Sequence, residues 1–321
     1  MIKGEVSMTI LNMLPLQGDE KSRFETLAPE AVHIYAGRRS VTPEQLAQAD
    51  VILGWPRPKE LCHAVRLKWL HSLWAGTDEY TAPGILPEGV RLTSSAGTNA
   101  RSVAEHMLAS LLALFRQLPL CQDQQRAHLW REMKEMRTLL NAQVLVVGAG
   151  HVGSVFAGMC QGLGACTTGL KRTVREDIPG FDRVRPIAEL DGLLAEADVV
   201  ALTLPQTPET IGLMDAARIG RMKAGAVLLS AGRGTVLDQK ALAQALQEGR
   251  LWGAALDVTD PEPLPEDHFL WDTPRLLLTP HVAGGMRLEL TRKNCIELAL
   301  ENLRRYIRGE PLKNLVQEGP L

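Results

Sequence analysis

Aromatic residues are scarce in this chain of 321 residues, at 4%. So few rings leave little to stack against the bases of single-stranded nucleic acid. An excess of either charge is missing too. Charged residues make up 22% and the formal net charge is -2, so no global field draws the protein to nucleic acid or an anionic membrane. The five cysteines (Cys62, Cys121, Cys160, Cys166, Cys295) are scattered, odd in number and without a CxxC pair. That excludes a disulfide framework and offers no zinc-ligand spacing. No stretch approaches the roughly 20 apolar residues a bilayer span requires. Met1–Leu16 has one Lys and no clean apolar run followed by a small-residue cleavage site. These absences predict a cytoplasmic protein with no metal, membrane or nucleic-acid partner.

What is present is apolar mass, at 45% of residues, enough for a core in each of two domains. Residues 1–98 read as a small α/β unit, with strands expected at Val51–Gly54 and from Leu67 onward. A Pro- and Gly-rich turn region follows at Pro83, Gly84, Pro87 and Gly89. Thr98 or Asn99 can cap a helix, and Val103, Met107, Leu111, Leu114 and Leu118 recur at helical spacing. That helix is expected to stop at Pro119. Residues 99–284 then alternate strand and helix signals. Strands are expected at Val144–Val147, Ala165–Leu170, Val199–Leu204, Ala226–Ser230, Gly253–Val258 and Leu276–Thr279. Such alternation predicts a doubly wound parallel sheet. Residues 285–321 carry a last amphipathic helix, expected to return to the first domain.

Gly148-Ala149-Gly150-His151-Val152-Gly153 is GxGxxG, directly after one expected strand and opening a helix. In that context the pattern marks a dinucleotide site. Gly148 allows the tight turn, Gly150 lets a pyrophosphate approach the backbone, and Gly153 lets helix and strand pack closely. The helix N-terminus offers N–H groups and partial positive charge to phosphates. A site for NAD places a carboxylate about 20 residues on, for the ribose 2′-OH. Here the next strand ends in Lys171-Arg172-Thr173, with no acid. Arg172 can grip a 2′-phosphate through paired donors, with Lys171 and Thr173 beside it. The cofactor expected is therefore NADP(H), with NAD(H) possible if the turn is merely a solvated basic one.

Three further residues stand at expected strand ends. Arg233 lies in Ser230-Ala231-Gly232-Arg233-Gly234, Glu262 in the proline-rich loop 260–265, and His281 in Leu278-Thr279-Pro280-His281. Reducing a 2-oxo acid needs a cation for the carboxylate, an acid for the developing alkoxide, and a hydride. Arg233 suits the first role and His281 the second, with Glu262 orienting the imidazole and favouring its charged form. The other seven histidines, including His106 on the junction helix, are read as structural.

The stretches VLVVGAGHVGS, LTLPQTPETIGLM, MKAGAVLLSAGRGTVLDQKAL, GAALDVTDPEPLP and LLLTPHVAG resemble the D-isomer-specific 2-hydroxyacid dehydrogenases, from roughly Leu67 to Val316. The resemblance implies two doubly wound parallel-sheet α/β domains, a Rossmann cofactor domain and a smaller flavodoxin-like substrate domain. It implies that Arg233, Glu262 and His281 are the catalytic trio. Ala75 and Gly76 would hold the substrate carboxylate through backbone N–H groups. Asp257 would contact the nicotinamide amide. Leu204, Pro205 and Ala231, with Arg233 and His281, would complete the cofactor surface begun at Gly148–Gly153. It further implies a homodimer formed through the region around Arg101–Arg137. Ser230 departs from a frequent Asn, and a Trp common after the His is absent. Trp55, Trp74 and Met286 are candidate pocket walls, with core packing the alternative. Their bulk points to a small substrate such as glyoxylate or hydroxypyruvate. A nucleotide-sensing binding protein on the same fold is the competing reading.

Overall fold

A computed structural model describes residues 7–133, 135–174 and 178–318; the outer ends of the expected 1–98 and 285–321 segments lie outside these. The chain divides into two compact units, Met1–Asn99 with Met286–Leu321, and Ala100–Gly285.

In the first unit, strands β1 (Thr9–Asn12), β2 (Val32–Tyr35), β3 (Val51–Gly54), β4 (Trp69–Ser72) and β5 (Arg91–Thr93) lie in the order β2-β1-β3-β4-β5. All these pairings are parallel, and Leu315–Gln317 adds an antiparallel edge beside β5. This is the flavodoxin-like order. Strands β1, β3 and β4 are buried at every position, as both covered faces of a parallel sheet require. The helix Glu289–Ile307 belongs to this unit. Its Ile296, Ala299, Leu300 and Leu303 share one core cluster with Ile10, Phe24, Val51 and Trp69, the one-sided spacing of an amphipathic helix. Near its start, Arg292 donates to both oxygens of Glu20 at 2.9 and 2.7 Å, a buried pair that ties the helix to the segment after β1.

In the second unit, β6 (Gln143–Val147), β7 (Cys166–Lys171), β8 (Arg183–Pro186), β9 (Val199–Leu202), β10 (Val227–Ser230), β11 (Gly253–Leu256) and β12 (Leu276–Leu278) lie in the order β8-β7-β6-β9-β10-β11-β12. All are parallel. This is the Rossmann order, with a seventh strand added at one edge. Side chains alternate between two cores along each strand. Val144 and Val146 meet Phe156, Ala157 and the junction helix on one face, while Leu145 and Val147 meet Leu242 and Leu246 on the other.

The junction helix corrects one expectation. It spans Ala100–Phe115 and ends before Pro119, at Gln117 with a left-handed φ of 52°. Pro119 instead sits in the first turn of a second helix, Leu118–Arg126. A first turn has no use for the N–H that proline lacks, so proline starts this helix rather than stopping the previous one.

Candidate active site

The glycine loop is tightly turned and packs close to the strand before it. Gly148 has φ of 116°, and a Cβ there would meet Thr203 Oγ1 at 2.9 Å. At Gly153 a Cβ would lie 2.3 Å from the Gly148 carbonyl oxygen and 2.9 Å from Val146, so only glycine permits this closeness of helix and strand. At Gly150 nothing lies within 4 Å of the missing Cβ. This glycine caps the helix His151–Gly162 without any side-chain hydrogen bond. His151, Val152 and Gly153 form the helix's first turn, over an open approach suited to a diphosphate. A dinucleotide fits the residues here.

Lys171 closes β7 half-buried, and Arg172 and Thr173 follow it, exposed. Glu209 stands near this turn: a hydrogen bond from Thr207, its own backbone N–H and the charge of Arg172 hold its carboxyl below the usual carboxylate range. The segment after β9 spans the gap to the chemical residues. Thr203 donates to the Gly148 carbonyl at 2.8 Å, and Gly232 lies so close to Leu204 that a Cβ would meet the Leu204 oxygen at 2.4 Å. Pro205 accepts from Thr210 at 2.7 Å. Ala231 continues β10 by donating to Leu202 at 3.1 Å.

Arg233 is half-buried, and its Nη1 donates to the Gly232 carbonyl at 2.9 Å. A Cβ at Gly234 would meet the Thr259 oxygen at 2.0 Å. The arginine turn therefore presses against the base of the loop that carries Glu262. Glu262 accepts from the Thr259 backbone N–H at 2.9 Å through Oε1. Its Oε2 stands 2.8 Å from His281 Nδ1. One carboxylate thus anchors its own loop and fixes the tautomer and direction of the imidazole. The opposite nitrogen, Nε2, is left as the atom that can exchange a proton. Side-chain exposures of 52% for His281 and 37% for Glu262 leave the pair accessible.

Asp257 is buried, 5% exposed. Its Oδ1 accepts from the Val282 N–H at 2.9 Å and the Thr279 hydroxyl at 2.6 Å, and its Oδ2 from the Ala283 N–H at 3.0 Å. His106 stands 3.0 Å from Thr279 Oγ1. Sequence reading gave Asp257 a cofactor role alone and His106 a structural one. The structure joins them beside His281, and only the histidine's helical register toward the sheet hinted at this. Among the described residues no group of His, Cys, Asp and Glu could hold a metal ion, and no helix is long and apolar enough to cross a membrane.

In the first unit, Ala75 and Gly76 follow β4 half-buried. Trp74, just before them, meets Trp55 edge-on at 5.3 Å, and Arg38 covers the Trp55 ring at 3.3 Å. Met286 packs with both indoles on the same core cluster. Ser230, where Asn is frequent, is buried with no hydrogen-bond partner for its hydroxyl among the described residues.

Residues 108–283 match the model of the D-isomer specific 2-hydroxyacid dehydrogenase, NAD binding domain. The chain belongs to this family. A D-isomer specific 2-hydroxyacid dehydrogenase from Xanthobacter autotrophicus, solved with NADPH and MES, is 30% identical with a TM-score of 0.81, over 97% of this chain and 98% of that one. An NADPH-dependent glyoxylate/hydroxypyruvate reductase from Sinorhizobium meliloti, solved with NADP and sulfate, is 25% identical with a TM-score of 0.81, over the same shares. D-3-phosphoglycerate dehydrogenase of Mycobacterium bovis is 32% identical over 81% of this chain. The chain spans about half the length of that relative, 48%.

Proposed function

We propose that the protein is an NADP(H)-dependent oxidoreductase that interconverts small 2-oxo acids and D-2-hydroxy acids, with glyoxylate and hydroxypyruvate as leading substrates. The observation that carries this reading is the 2.8 Å contact of His281 Nδ1 with Glu262, on strand-end loops of the sheet that bears the glycine loop. In the reducing direction His281 Nε2 gives its proton to the 2-oxo oxygen, while Glu262 holds the ring and balances the charge. Arg233 draws the substrate carboxylate through its fork of donors. A nicotinamide, when bound, would supply the hydride. In the oxidising direction His281 takes the proton from the 2-hydroxyl. The resemblance assigns the backbone N–H groups of Ala75 and Gly76 to the substrate carboxylate, and Asp257 to the nicotinamide amide.

The preference for NADP(H) rests on Lys171-Arg172-Thr173 at the end of β7, where two cations and a hydroxyl stand in place of a carboxylate. The NADPH and NADP bound to the two related structures support it. A homodimer through the region around Arg101–Arg137 is part of the same reading. Leu118, Leu120, Leu129, Met136 and the 99%-exposed Trp130 leave apolar surface there that a second copy would cover.

The test follows NADPH and NADH oxidation side by side with glyoxylate, hydroxypyruvate, pyruvate, phenylpyruvate and 2-oxoglutarate. Fast turnover with NADPH on the two smallest polar oxo acids is expected. Arg172→Ala should lower the NADPH-over-NADH ratio by about 10- to 100-fold, the worth of a charge-assisted contact. Equal rates with both cofactors in the parent protein overturn the 2′-phosphate assignment. No oxidation by protein that still binds the cofactor overturns the enzyme reading and favours a nucleotide sensor.

A further inference from the structure

His281 occupies a backbone conformation that a side chain resists. Its φ is 51°, in the left-handed region where the Cβ of an L-residue crowds its own carbonyl. Such strain persists only where surrounding contacts over-determine it. Those contacts converge on Asp257. Its carbonyl accepts the His281 N–H at 2.9 Å. Its carboxylate accepts the next two, from Val282 and Ala283, at 2.9 and 3.0 Å. Three successive backbone donors thus close around one buried aspartate, and the direction of the His281 side chain follows from where that carboxylate points.

What aims the carboxylate is a short hydrogen-bonded chain with a fixed polarity. Thr279 has one hydroxyl proton, and a carboxylate that already receives two backbone N–H groups is an acceptor only. The 2.6 Å contact therefore runs from Thr279 to Asp257 Oδ1. With its proton used, Thr279 Oγ1 must accept at its other contact, so the 3.0 Å approach of His106 Nε2 is an N–H donation. His106 Nε2 also lies 3.8 Å from Asp257 Oδ1. The donor is held firmly: His106 sits on the helix Ala100–Phe115 between Val103 and Met107, which are 5% and 3% exposed in the core. Polar chains of this kind rigidify what they end on, because each bond polarises the next.

From this geometry we infer that His106 and Thr279 are positioning residues for the reaction, acting through Asp257 to hold His281 against Glu262. The inference rests on the reading of His281 as the acid/base. The ordering His106 to Thr279 to Asp257 makes the junction helix part of the catalytic frame. It also gives a purpose to a histidine that neither the glycine motif nor the catalytic trio requires.

Thr279→Val keeps the shape and removes the link, while His106→Leu removes the first donor. Each is expected to lower kcat by about 10- to 100-fold, the scale of a misplaced catalytic group. The KM for the oxo acid should change by less than about threefold, since neither residue is asked to bind it. Thr279→Ser and His106→Gln restore the hydroxyl and the N–H donor and should return kcat to within about threefold of the parent. A readout independent of turnover is the titration of the His281 imidazole, followed by NMR. It should move in Thr279→Val and His106→Leu as the ring leaves Glu262, and stay in place in the two conservative variants. Parental kcat in both disruptive variants, or a His281 titration that none of them moves, overturns the inference. So does a loss of kcat that Ser and Gln fail to rescue. If Thr279→Val does not fold, His106→Leu decides alone, since it leaves the loop's own residues intact. Should the parent protein turn over no oxo acid, the enzyme reading fails, and the titration still shows whether the chain positions His281.

Discussion

The molecule contains two parallel sheets of related design that do different things with the same place. In each, the first strand lies beside the point where the strand order reverses, where open α/β sheets bind ligands. In the second unit the first strand, β6, runs into Gly148-Ala149-Gly150, and the missing side chains leave a backbone that phosphate can reach. In the first unit β1 runs into Met13-Leu14-Pro15, and Met13 and Leu14 are each 8% exposed. There the switch point is filled by the unit's own core. A fold offers a location, and a few residues decide whether it becomes a site.

The two units also place histidines at opposite extremes, and this gives the largest predicted effect. His281 is half exposed and paired with a carboxylate, and the proposal gives it the transferable proton. His281→Ala should cut turnover by about 10²- to 10⁴-fold, the usual worth of a general acid or base. Cofactor binding, measured by quenching of protein fluorescence, should survive. Ordinary activity in this variant would sink the mechanism.

A matched pair of glycine substitutions sharpens the comparison next. Gly153→Ala sets a Cβ against the Gly148 carbonyl oxygen, a backbone atom that can yield only by moving the glycine loop. Overpacking of this kind costs about 1–3 kcal/mol, and NADPH affinity should fall by about tenfold or more with it. Gly54, in the first unit, has φ of 142°, and a Cβ there would meet the Met13 Cβ at 2.6 Å. Gly54→Ala should lower stability by a similar amount while the dissociation constant for NADPH stays put. A cofactor defect in Gly54→Ala would break the division of labour between the units.

His71 is the other extreme. It ends buried in β4 among Thr93, Ser95 and Trp69, and burial pushes its imidazole down from 6.5 to about 4. Below pH 6.5 the unfolded chain takes up this proton while the folded one does not. Stability is therefore intact above 6.5, drains as the pH falls from there toward about 4, and stops falling on this account below that. The total is about 3 kcal/mol, or roughly 1.4 kcal/mol for each pH unit of difference. Denaturant titrations at intervals between pH 7 and 4 should show this slope in the parent protein and in His281→Ala. His71→Asn should be less stable at pH 7 but flatter across the interval. An unchanged slope in that variant would remove His71 as its source.

The parts of this architecture that were legible in the sequence are those where one residue must satisfy one local demand. The glycines at 148, 150 and 153 declare a turn, an approach and a close packing, so the Rossmann unit could be read before any strand order was known. Strands buried on both faces, such as VLVV, were equally plain. The strands of the first unit left a weaker trace: β2, VHIY, is four residues with none fully buried, so no buried run marks it. Edge strand β8, RVRP, has no fully buried residue and resembles a loop. Pro119 misled because proline marks both the end of one helix and the first turn of the next, and only the left-handed Gln117 between them decides which. The polar chain behind His281 was hidden for another reason. Its members stand at positions 106, 257 and 279, and apart from the helical register of His106 toward the sheet nothing in their local patterns says that three separate elements meet.

The smallest effect concerns the cofactor turn itself. Glu209 lies close enough for the charge of Arg172 to help hold its carboxyl low, so a carboxylate stands near the cation proposed to receive a 2′-phosphate. Both side chains face solvent, and exposed pairs interact weakly and are screened by salt. Glu209→Gln should therefore tighten NADPH by no more than about threefold, leave NADH unchanged, and lose even that gain at high ionic strength. Dissociation constants for the two cofactors at low and high salt measure this directly. An equal gain for both would mean that Glu209 acts on the shared diphosphate end. No gain at either salt would mean that Arg172 already turns away from it, toward the phosphate.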